Sequence, residues 1–209
     1  MSSSEYRKLV DAVDELRAHL MDFEASPVEP YTKGQLLKCQ AFVVFSHAEM
    51  QVYWEAVSRR ILSEAETKWK TTSEINRVIG TLVAFRRPEQ VSVPTDPSQP
   101  HDKGNFSWLV REALKAQTEV IAGNNGIKRA NISELLVPLG VLPSDFVEAM
   151  LIQLDQAGKK RGEMVHKSSR VSLQNIRDPI SDEMKGVDDL ILEIGSFDSK
   201  LEEMGLLSV

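Results

Sequence analysis

With 209 residues, 42% of them apolar and 27% charged, the chain has the size and composition to fold around a sizeable core, which excludes a disordered or fibrous class and fits one main domain. A formal net charge of -6 excludes nucleic-acid binding through overall positive charge, so any such binding must be local. The single cysteine, Cys39, excludes an intramolecular disulfide and a cysteine-based metal site, and a reducing cytoplasm is the expected compartment.

The opening residues, MSSSEYRKLVDAVDEL, are charged throughout and lack the apolar core of a signal peptide. No stretch approaches the roughly 18 apolar residues of a membrane span, so no membrane association is expected. Leu9, Val10, Val13, Leu16 and Leu20 recur at helical spacing and predict a first amphipathic helix ending near Pro27 to Pro30. From about Thr32 to Thr67 no proline intervenes, and Leu36, Leu37, Phe42, Val43, Phe45, Met50, Val52 and Tyr53 predict a long, heavily buried helix. Thr71-Thr72-Ser73-Glu74 has the form of a capping box and predicts the start of a third helix running to about Arg86.

Four prolines between residues 88 and 104 forbid continuous helix and predict a long irregular loop. Phe106, Leu109, Val110, Ala113, Leu114 and Ile121 predict another helix, closed by the GNNG turn at 123–126. Asn131 with Glu134 reads as the cap of a short helical piece, broken at Pro138 and Gly140. Val147, Met150, Leu151 and Leu154 follow the spacing of a core-facing helix, and Val187, Leu190, Ile191, Ile194, Phe197 and Leu201 repeat it near the end. Arg170 to Leu173 is the only strand candidate, and a weak one. The expected fold is all-α, a helical bundle, with residues 1–30 as an N-terminal helix on or flanking a core domain of residues 31–209 that carries the irregular loop 87–104.

Motif absences remove whole reaction classes. There is no Walker loop, dinucleotide fingerprint, nucleophile elbow, HExxH, EF-hand loop or paired Glu-x-x-His, so no cofactor and no metal is expected. His19 lies on the polar side of the first helix and His101 in the Pro-rich loop, both expected to be solvent-exposed. The segment KKRGEMVHKSSR, residues 159–170, is different. Five basic side chains (Lys159, Lys160, Arg161, Lys167, Arg170) against the single carboxylate of Glu163 give it a charge of +4 around His166. Arg161 follows Leu154 by seven residues and so shares the apolar stripe, where a guanidinium needs a carboxylate or a phosphate. A five-residue step at about 100° per residue sets Arg161 and His166 about 140° apart on one helix. A basic patch beside a titratable imidazole suits a phosphodiester. Equally, Arg161 can pair with Glu49 or Glu55, His166 can cap a helix end and the lysines can form a solvated face.

Arg161-Gly162-Glu163-Met164-Val165-His166 at a helix end resembles the R-x4-6-H motif of the HEPN superfamily. The segment AFVVFSHAEMQVYWEAV, residues 41–57, is similar to the first core helix of its RiboL-PSP-HEPN branch. The resemblance spans roughly residues 33–207 and implies a HEPN-like four-helix core with additional short helices. It implies a metal-independent endoribonuclease, often a toxin or antiviral phage-defence effector, that works as a homodimer and can be paired with an antitoxin or defence-system partner protein. Arg161 and His166 would be its catalytic pair, His166 as general base or acid in 2'-hydroxyl attack and Arg161 stabilising charge at phosphorus. His47, Glu49 and Glu163 would support the site, and Lys159, Lys160, Lys167 and Arg170 would bind RNA. A two-fold axis would bring Arg161 and His166 of both copies to one cleft. Where many members carry a polar residue, commonly Asn, after the motif Arg, this chain has Gly162. The alternative is a non-catalytic HEPN-like module that binds a protein or a nucleotide.

Overall fold

Apolar residues at helical spacing become helix along the chain. The computed structural model describes residues 2–25, 30–86, 105–166, 173 and 176–207, and within them the fold is an all-α bundle without strands. Residues 87–104 and the part of the strand candidate at 170–172 lie outside the described residues. The α-helices are α1 (Ser4–Leu20), α2 (Lys33–Thr72), α3 (Arg77–Arg86), α4 (Phe106–Ala122), α5 (Arg129–Leu136), α6 (Glu148–His166) and α7 (Lys185–Glu203). Short 3-10 turns occupy Val137–Leu139 and Pro143–Asp145, and a π-helical turn, Pro179–Met184, runs into α7.

Local chemistry explains the helix ends, and at two of them it differs from expectation. Ser3 caps α1 by accepting from the Tyr6 N–H at 3.1 Å, and Thr32 and Gln35 exchange bonds as a capping box at the start of α2. Residues 71–74 form an exit rather than an entrance. Thr71 and Thr72 donate back to carbonyls of Thr67 and Lys68, at 3.0 and 2.9 Å, and Ser73 takes the left-handed conformation at φ 55°. The cap of α3 is Asn76, whose Oδ1 accepts from the Ile79 N–H at 2.9 Å. Asn131 likewise falls inside α5, because Asp155 of α6 takes the Arg129 N–H at 2.9 Å.

Two compact units divide the chain. The first comprises residues 1–54, 126–129 and 146–209, hence α1, the first part of α2, α6, the π-helical turn and α7. Its core joins Phe42, Tyr53, Trp54 and Phe197, all nearly or fully buried, with Trp54 and Phe197 rings 5.8 Å apart and Phe146 stacked on Phe197 at 5.3 Å. The helix α1 packs on α7, where the carboxylate of the buried Asp198 accepts from Ser3 N–H at 2.8 Å, Ser3 Oγ at 2.7 Å and Tyr53 Oη at 2.8 Å. The second unit, residues 55–125 and 130–145, packs α3 against α4 and the first 3-10 turn. There the buried Gln117 amide donates to the carbonyls of Glu134 and Leu135 and accepts from Arg86 Nε at 2.9 Å.

The long, heavily buried helix expected from residue 32 onward is α2, and its burial is one-sided. Phe42, Val43 and Met50 are buried, but Leu37, Phe45 and Val52 remain 42%, 52% and 57% exposed on the opposite side. The stripe turned to the core is narrower than the run of apolar residues suggests, since a helix buries only the face another element covers.

Candidate functional site

Two segments more than a hundred residues apart in sequence meet in the first unit. The helix α2 brings up Gln40 and His47, and the last turns of α6 bring up Lys160, Arg161 and Met164. Gln40 Nε2 donates to the Met164 carbonyl at 3.0 Å, tying the two helices together. His47 is 5% exposed, and its Nε2 has no hydrogen-bond partner among the described residues. Burial first, and then the positive charge of Arg161, push this imidazole down to about 4. At neutral pH His47 is therefore uncharged, a hydrogen-bonding group rather than a proton donor. A buried nitrogen left unmet costs about 1–3 kcal/mol, which is a reason to ask what satisfies it.

Arg161 is half-buried on α6, and among the described residues no carboxylate pairs with it. Glu55, one of its two candidate partners, instead takes Arg59 at 3.0 Å, and the half-buried Glu49 forms no ion pair among the described residues. The guanidinium thus acts on a neutral imidazole, with its charge unpaired among the described residues and available to an anion. Lys160 is committed elsewhere. Its ammonium pairs with Glu183, whose side chain is 1% exposed and which also accepts the Arg177 N–H at 3.1 Å. Lys159 is exposed and Glu163 half-buried. His166 is the last residue of α6; its side chain, with Lys167 and Arg170, lies outside the described residues.

Gly162 does not interrupt α6, and a Cβ placed there would meet nothing within 4 Å. Because the helix is continuous, Arg161 and His166 keep their separation of about 140° around its axis. The charge of Arg161 is felt at His47, and His166 is the last residue of the same helix.

A cavity of about 320 Å³ lies against His47, bounded by α2, α6, the π-helical turn and α7. Lys160, Glu183, Gln153 and Gln156 are on its wall. Sequence reading missed Glu183, Gln153 and Gln156. Asp178 before Pro179 is a helix-start signal that would have located the turn carrying Glu183: Asp178 Oδ1 accepts from the Ile180 and Ser181 N–H groups at 2.9 and 2.7 Å. No local pattern reports that this turn lies over α6. Cys39 is buried near the same pair; burial first and then the Glu183 carboxylate push its thiol up to about 12, leaving it unreactive.

Among the described residues no three His, Cys, Asp or Glu side chains cluster to hold a metal ion, and no helix is long and apolar enough to cross a membrane. No family model matches the chain, and no curated protein and no solved structure is significantly similar to it.

Proposed function

We propose that this chain is a HEPN-type endoribonuclease, metal-independent and dimeric, acting on RNA as a toxin or phage-defence effector. One observation carries the reading: the described parts of the two segments that bear the resemblance, residues 41–54 and 159–166, belong to one compact unit, where the guanidinium of Arg161, unpaired among the described residues, acts electrostatically on the buried His47. In this reading a 2'-hydroxyl loses its proton to a base and attacks the adjacent phosphorus. The P–O5' bond breaks, the 5'-oxygen takes up a proton, and a cyclic phosphate remains. His166 carries one of the proton transfers, a role for which the uncharged His47 is unsuited at neutral pH. Arg161 meets the charge that grows on the phosphoryl oxygens. Divergence of Arg161 and His166 around α6 is why the reading includes a second copy, whose His166 faces the first copy's Arg161 across a two-fold axis.

The test is incubation of the purified chain with tRNA or total RNA in excess EDTA, alongside Arg161→Ala and His166→Ala. Cleavage by the parent chain and its loss in both variants is the expected result; an inert parent, or equal cleavage by all three, removes the reading. A strictly monomeric species by light scattering at micromolar concentration removes the shared cleft. A non-catalytic HEPN-like binding module is the second reading, favoured by Gly162, which supplies no hydrogen-bonding side chain after the motif Arg.

A further inference from the structure

The cavity beside His47 has no part in the phosphoryl chemistry assigned to Arg161 and His166, yet its wall is chemically selective. Two faces are apolar: Val43 and Met50 from α2, Val187 and Leu190 from α7. Between them stand groups that can read a hydrogen-bonding edge. The side-chain amides of Gln153 and Gln156, each both donor and acceptor, make no hydrogen bond among the described residues, and His47, whose Nε2 is buried without a partner among them, adjoins the cavity.

Charge on the wall is largely cancelled from within. Lys160 pairs with Glu183, and Asp189 is held by Lys185. Asp182 accepts the Asp178 N–H at 3.2 Å, and the exposed Arg177 balances it in sign. A site for a phosphate would leave cationic charge uncompensated, as Arg161 does; this one does not. Its chemistry suits an uncharged, flat group with donors and acceptors along one edge, and about 320 Å³ lies at the small end of the range for ligand pockets.

We infer that the cavity between α2, α6 and α7 binds an unstacked nucleobase, its faces against Val43, Met50, Val187 and Leu190 and its edge toward Gln153 and Gln156, with His47 packed behind the site. The inference rests on the ribonuclease reading for the polymer that carries the base. It makes the substrate single-stranded or looped RNA, because a paired base cannot leave its stack without the cost of unpairing. His47 on the cavity wall lies within electrostatic reach of Arg161, so a seated base would bias which phosphate the guanidinium meets.

The test uses the intact chain with free adenosine, guanosine, cytidine and uridine, followed by isothermal titration and by chemical shifts of the Met50 methyl and the His47 ring. At least one nucleoside is expected to saturate with a Kd below about 10 mM, since a lone base uses only part of the contact an RNA would make. Gln153→Ala and Ala157→Phe, the second filling the cavity from α6, should each weaken it by roughly tenfold, and His47→Phe by at least as much. Ribose 5-phosphate serves as the anionic control and should not displace it. Failure of all four nucleosides to bind, preferential binding of ribose 5-phosphate, or binding indifferent to Gln153→Ala and Ala157→Phe would overturn the inference; the mildness of Gln153→Ala keeps this open even if His47→Phe does not fold. Nucleoside binding by a chain that cuts no RNA would remove the ribonuclease reading and leave the pocket standing, whereas cleavage without nucleoside binding would do the reverse.

Discussion

Lys160 places its ammonium on Glu183, a carboxylate only 1% exposed that also accepts the Arg177 N–H, so one ion pair pins the last turns of α6 to the turn that leads into α7. Glu183→Ala frees the ammonium and opens the backbone N–H, and Lys160→Ala leaves a buried carboxylate without its cation. Removing one partner of a fully buried pair costs about 3–5 kcal/mol, but the Lys160 side chain is 36% exposed, so a loss of about 2 kcal/mol is expected for either variant. Urea unfolding should also show the two losses to be less than additive in the double variant. Full additivity would mean that the pair contributes nothing as a pair.

Asp198 is a second buried carboxylate, and it is held by three donors rather than by a cation. Asp198→Ala leaves Ser3 and Tyr53 without their acceptor and should destabilise the chain by about 3 kcal/mol, while Tyr53→Phe removes one donor and costs about 1 kcal/mol. The ratio of the two losses in the same denaturant series is the measurement. Equal losses would show that Ser3, and with it the cap of α1, is not anchored through Asp198.

Protonation of His47 sets a pH dependence with a definite sign. Its folded-state value, near 4, lies below the ordinary 6.5, so the unfolded chain binds this proton first. The stabilisation from keeping His47 neutral is complete above about pH 6.5 and is lost as pH falls toward 4, to a total of about 3 kcal/mol. Arg161 is the charge that opposes protonation. Chemical denaturation of the parent chain and of His47→Gln between pH 7.5 and 4.5 checks this: the variant should lose less stability over that interval. Parallel curves would show that the imidazole is not held neutral.

Two glycines should respond oppositely to alanine. At Gly162 the added Cβ meets nothing within 4 Å, so Gly162→Ala should stabilise α6 by about 0.5–1 kcal/mol. At Gly195 the Cβ would collide with Tyr6 Oη, which donates to the Ile191 carbonyl at 3.1 Å, and overpacking there should cost about 2 kcal/mol. Thermal melts of both variants decide it. Gly162→Asn supplies a polar side chain after Arg161, and on the ribonuclease reading it should raise cleavage above that of Gly162→Ala; no difference would make the missing side chain irrelevant.

On the same reading Arg161→Ala should slow RNA cleavage by roughly 10²–10³-fold and His166→Ala by roughly 10²–10⁴-fold. Arg161→Lys should recover little, because an ammonium does not reproduce the planar fork of donors. Single-turnover rates on tRNA, with folding checked by circular dichroism, separate these outcomes from simple loss of structure. Recovery of most of the rate by Arg161→Lys would reduce Arg161 to a point charge.

Periodicity made most of the helices legible in the sequence. Met150, Leu151 and Leu154 in α6, and Val187, Leu190, Ile194 and Phe197 in α7, fall on buried faces as their spacing requires, because neighbours three and four apart share one side of a helix whatever the rest of the chain does. The basic character of residues 159–170 was likewise visible, being a property of composition alone. Helix ends were less so: the hydroxyls of Thr71 and Thr72 serve an exit as readily as an entrance, and the cap of α5 comes from Asp155, 26 positions along the chain. Tertiary structure alone decided which side of α2 is covered, that Lys160 is spent on Glu183 while Arg161 stays open, and that His47 stands uncharged against a cavity. Burial and charge pairing depend on which segments the folded chain brings within a few ångströms, and helical spacing holds no record of that.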